Sequence, residues 1–156
     1  MNNIFNLTRY SKLIEKETAL ANQKKSLFSE NQSEYLELLN YQASVEQQII
    51  YNRKNDYFLL INKYLNQLIT PSEFRIEFLK MEKKDGTKAN KILQDSQQLS
   101  VFSLVENLEE FSNLMGQISD LCLEVRELGY GEGLSKDEFH HSVNNLYLQL
   151  KKSFED

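Results

Sequence analysis

The stretch from Tyr57 to Met81, YFLLINKYLNQLITPSEFRIEFLKM, constrains this chain more than any other. Tyr57, Leu60, Ile61, Tyr64, Leu65, Leu68 and Ile69 recur at three- and four-residue steps, so they line one face of a helix. Thr70, Pro71 and Glu73 then spell a helix start. The threonine is an N-cap, the proline suits the first helical position, and the glutamate completes a capping box. Phe74, Phe78 and Met81 carry the apolar face past the corner. Two apolar helices that meet at Ile69–Thr70 must fold back on each other. One proline and five glycines in 156 residues leave few breaks, which favours long helices over many strands.

On the N-terminal side the pattern is weaker. Leu7, Tyr10, Leu13, Ile14 and Leu20 form one stripe of a helix starting near Thr8. Lys24, Lys25 and the SENQS that follows predict a break near Ser29–Ser33. Tyr35, Leu38, Leu39, Val45 and Ile49 mark a second amphipathic helix running to about Tyr51. The interruption NRKND, around Asn52–Asp56, places a boundary between residues 1–55, an N-terminal helical extension or hairpin, and residues 56–156.

On the C-terminal side KKDGTKANK is polar, and its Asp85–Gly86 pair reads as a turn that closes the helix begun at Pro71 and opens a connection to about Leu99. Apolar residues from Val101 through Leu104, Val105, Leu108, Phe111, Met115, Ile118, Leu121, Cys122 and Val125 to Leu128 then hold helical spacing, with Gly116 as a point of kinking or division. The loop GYGEG follows. Ser135 and Glu138 make a second capping box, and Phe139, Val143, Leu146, Leu150 and Phe154 form a last amphipathic helix. The expected fold is all-α: an antiparallel four-helix bundle over residues 56–156 with an N-terminal helical extension.

Chemistry-bearing patterns are sparse. GYGEG follows a helix and lacks a downstream GKS or GKT, so it does not form a phosphate loop. His140 and His141 are adjacent and point about 100° apart on a helix; Asp137 and His141 share a face, but two ligands do not make a metal site. Cys122 lies on the apolar stripe and reads as a buried, inert thiol. A single cysteine allows no internal disulfide, which fits a reducing compartment. The opening MNNIFNLTRY lacks the basic and apolar regions of a secretory signal, and no apolar run approaches the ~20 residues that span a bilayer. The expectation is a protein that is not an enzyme, takes no cofactor or metal, does not insert into a membrane, and resides in the cytoplasm, or in the plastid stroma if encoded by an organelle.

Charge is what remains. Residues 1–94 carry 14 basic and 11 acidic side chains; residues 95–156 carry 4 and 12. Glu106, Glu109 and Glu110 fall within one expected helical turn, and Asp120, Glu124 and Glu127 occupy successive turns further on, at i, i+4 and i+7. Such a face repels phosphates and steers a basic protein onto itself. The lysines at 80, 83, 84, 88 and 91 are the one basic run, and the net charge of −5 argues against nucleic acid as a partner.

The segments NKYLNQLITPSEFRIEFLKMEKK, VENLEEF, GLSKDEF and NLYLQLKKSF resemble the bacterial self-protective colicin-like immunity family, to which the colicin D immunity proteins belong. Ile69, Thr70, Glu73 and Phe74 match its corner, Glu109 and Phe111 its acidic middle helix, and Gly133 and Leu134 the start of its last helix. The resemblance covers about the last hundred residues. It implies a small four-helix bundle that plugs the active site of a basic, tRNA-cleaving toxin domain, with Glu109 as a toxin-facing carboxylate. Residues 1–55 have no counterpart in the compact family members, and the middle helical region is longer here. Small reading frames of algal plastids look similar too, which implies the alternative of a helical interaction or assembly subunit in a larger complex.

Overall fold

A computed structural model describes residues 3–125 and 133–155. Among them are eight helices and one two-stranded sheet, so the chain is all-α in class. It divides into two compact units. The first gathers Met1–Ile49 with Gly86–Glu106, and the second Ile50–Asp85 with Asn107–Asp156. The expected boundary at residue 55 treats the N-terminal part as one continuous piece. In the structure Ala89, Ile92 and Leu99 are buried with Leu13, Leu38 and Val45, so residues 86–106 join the N-terminal core.

The first unit opens with β1 (Asn3–Ile4), α1 (Leu7–Asn22), α2 (Leu27–Glu30) and most of α3 (Gln32–Asn52). It closes with the end of α5 (Pro71–Leu93), α6 (Ser96–Ser100) and β2 (Ser103–Leu104). The Asn6 side chain caps α1 by accepting from the Arg9 N–H at 3.1 Å. Tyr10 and Leu13 of the expected stripe are buried, and Lys24, at φ 59°, ends the turn that follows α1. The expected break near Ser29–Ser33 is present at Asn31, which is extended between α2 and α3, and an earlier break follows α1, where Ser26 caps the short α2. On α3, Leu38, Val45 and Ile49 are buried and Leu39 is exposed.

Two expectations about this unit are overturned. KKDGTKANK is not a turn and connection: α5 runs unbroken to Leu93. Asp85, Ala89 and Ile92 continue its buried face beyond Phe74 and Phe78, and burial outweighs the Asp–Gly turn preference. Nor does a helix begin at Val101. Residues 103–104 are extended, with Ser103 paired to Ile4 and Leu104 to Asn3 in antiparallel register. The Phe5 N–H donates to the Phe102 carbonyl at 2.9 Å, and the Val105 N–H to Gln48 Oε1 at 2.8 Å. These bonds satisfy backbone groups that a helix would otherwise claim.

The second unit holds α4 (Lys54–Leu65), α5 as far as Asp85, α7 (Leu108–Glu124) and α8 (Lys136–Phe154). Its core is rich in aromatic rings. Tyr57, Phe74, Phe78, Phe111 and Phe139 are fully buried, each contributing about 1.5–3 kcal/mol relative to exposure. Tyr64 stacks on Phe74 with centroids 4.7 Å apart. The corner is built as its sequence dictates: Thr70 N–H donates to Glu73 Oε2 at 2.9 Å and Glu73 N–H to Thr70 Oγ1 at 3.1 Å. However, α4 stops at Leu65, Gln67 takes a left-handed φ of 59°, and Leu68 is 72% exposed. Leu68 thus leaves the expected stripe. Gly116 does not divide α7, which runs unbroken from Leu108 to Glu124; a Cβ placed at Gly116 meets nothing within 4 Å. The second capping box forms as well, with Glu138 N–H donating to Ser135 Oγ at 3.1 Å. All five residues of the last stripe are buried. No helix among the described residues is long and apolar enough to cross a membrane.

Candidate protein-docking face

The acidic excess belongs mostly to the second unit, which carries 11 basic and 15 acidic side chains against 7 and 8 in the first. Within it, α7 sorts its residues by face. Leu108, Phe111, Leu114, Met115, Ile118 and Cys122 are buried, while Glu109, Glu110, Asp120 and Glu124 are exposed. Asn107 begins the helix at φ 62° without a side-chain cap. Glu109 and Glu110 therefore sit in the first turn, where their charge complements the helix dipole. None of these four carboxylates pairs with a cation among the described residues.

Two open grooves lie along α7 and α8. One, of about 530 Å³, is lined by Asn107, Glu109, Glu110, Asn113 and Leu114 of α7 and its start and by Gln149 of α8. The other, of about 400 Å³, has Gln117, Asp120, Leu121 and Glu124 on one side and Ser142, Asn145, Leu146 and Gln149 on the other. Gln149 is common to both. Carboxylates at both ends with amides between them offer hydrogen-bond acceptors along the whole length of α7. A cleft lined by one sign of charge concentrates ligands of the opposite sign.

The other two of the six expected carboxylates are Glu106 and Glu127. Glu106 belongs to the first unit and precedes α7, because Asn107 in the left-handed region breaks the turn that would have joined it to Glu109 and Glu110. Glu127 lies outside the described residues. The helix itself ends at Glu124, where Val125 turns extended and bridges to Leu134. Most of GYGEG is also outside the described residues.

The other groups singled out by the sequence are scattered. His140 meets the Tyr64 ring at 5.4 Å, while His141 reaches Asn145 at 3.2 Å, so the adjacent histidines diverge. No cluster of three or more metal-ligating side chains occurs among the described residues. Cys122 is buried, and burial pushes its thiol up to about 12. Arg75 Nε donates to its carbonyl at 2.6 Å. The five lysines from 80 to 91 are all exposed on α5.

What sequence reasoning missed is a buried polar cluster. Asp85, 1% exposed, accepts from Arg53 Nη1 at 2.5 Å and from the Tyr57 hydroxyl at 2.6 Å. Burial, then the Asp85 carboxylate, raise the Tyr57 hydroxyl far above its ordinary range. A signal was available: Asp85 falls in phase with Phe74, Phe78, Ala89 and Ile92. A carboxylate on an apolar phase demands a buried partner.

No protein-family model matches the chain, and no curated protein or solved structure matches it either.

Proposed function

We propose that the chain is a non-enzymatic, immunity- or antitoxin-like protein that binds and blocks a basic, tRNA-cleaving toxin domain. In this reading α4, the first part of α5, α7 and α8 pack as a four-helix bundle whose α7–α8 side is the docking face. The observation that carries it is the set of Glu109, Glu110, Asp120 and Glu124 along two grooves, none of them paired with a cation among the described residues. Carboxylates there take the positions that substrate phosphates take in the toxin, so inhibition is by occupancy. The protein contributes charge and shape and breaks no bond. Charge complementarity of this kind sets on-rate and specificity, and its strength falls with salt.

The test is charge reversal with recovery of the partner. Glu109→Lys with Glu110→Lys and Asp120→Lys abolishes capture of a basic partner, and the circular dichroism of the variant stays helical. Capture that persists undiminished rules out the acidic face.

A second reading, an assembly subunit, is favoured by a different observation. Phe28, Leu36 and Leu39 of the first unit are 55%, 53% and 39% exposed. Leu36→Glu with Leu39→Glu loses the partner under this reading and spares it under the first. Deleting residues 1–55 does not discriminate, because Ala89, Ile92 and Leu99 lose the core they share with the deleted part.

A further inference from the structure

We draw no further inference here: the strongest candidate, the open groove of the second unit at the starts of α5 and α8, where Lys136 and His140 meet Glu73 and Asp137 beside Tyr64, opposes basic groups to carboxylates at helix starts already capped by their own side chains, and nothing in the structure shows what covers it.

Discussion

In the first unit the cross-helix ion pairs lie at the surface: Arg9 reaches Glu37 through Nε at 2.8 Å and Nη2 at 2.9 Å, and it also reaches Glu34, which Lys16 joins. In the second unit the corresponding carboxylate is inside: Asp85 is held between the Tyr57 hydroxyl and the part-exposed Arg53, which also reaches Asp56 at the surface. The cores differ in the same sense. Leucine, isoleucine and valine dominate the first, with one edge-to-face group of Phe5, Tyr10 and Tyr41. The second mixes aliphatic residues with tyrosine and phenylalanine from four helices. Burying a tyrosine in such a core leaves its hydroxyl in need of a partner; Tyr57 has Asp85 for that purpose, whereas the buried Tyr64 hydroxyl has no hydrogen-bond partner among the described residues. Surface pairs are screened by water and salt and contribute little. A buried pair contributes little net stability against an apolar replacement, yet breaking it is costly because a charge is stranded.

That contrast orders the expected effects. Asp85→Ala leaves the buried Tyr57 hydroxyl without its acceptor and takes from Arg53 the inner of its two carboxylate partners, and costs about 3 kcal/mol. Urea denaturation followed by circular dichroism reads this loss, and a cost under about 1 kcal/mol would show that the cluster is not the buried lock described here. Phe78→Ala in the second core costs about 3–5 kcal/mol and Leu13→Ala in the first about 2–5 kcal/mol. Equal denaturation midpoints for these two variants and the parent would contradict both cores.

Thr70→Ala removes the cap of α5 and costs about 1 kcal/mol. Thr70→Ser, which keeps the oxygen, recovers most of it in the same denaturation experiment. Rising pH gives a graded effect in the second unit. Burial holds the Cys122 thiol and the Tyr64 hydroxyl up at about 12, while the unfolded thiol ionises near about 8.5. The unfolded chain therefore gives up the Cys122 proton first. The stability that depends on the neutral thiol is complete below that pH and is lost as pH climbs towards 12. Melting temperatures measured from pH 7 to 11 fall, and Cys122→Ala makes the fall shallower. Arg9→Ala has the smallest effect: its melting temperature matches that of the parent at physiological salt. A large drop would place the Arg9–Glu37 pair on a par with the buried one and erase the contrast.

Local chemistry was readable wherever it was self-contained. The two capping boxes, the stripe of the last helix and the buried state of Cys122 each depend on residues within one or two turns. Legibility failed where distant residues decided. Asp85–Gly86 has the composition of a turn, and distant residues make a helix there the better solution: Arg53 and Tyr57, about thirty positions earlier, hold Asp85, and the first core buries Ala89 and Ile92. Ser103 and Leu104 have helical neighbours in sequence but pair with Asn3 and Ile4 across a hundred residues. The acidic face was legible as a stripe on α7. Its amide companions Asn145 and Gln149 come from α8 and carry no signal of their own. Glu106 was misplaced by one residue, Asn107, whose left-handed backbone no charge pattern reports.

The measurement that bears most directly on the proposed docking face is capture of partners by the tagged protein from its native source, at low and at high salt. The parent is run beside the Glu109→Lys, Glu110→Lys, Asp120→Lys variant, and recovered proteins are identified by mass spectrometry. The account predicts one stoichiometric basic protein with nuclease activity, released at high salt and absent from the variant. A salt-resistant complex recovered equally by both proteins would contradict it.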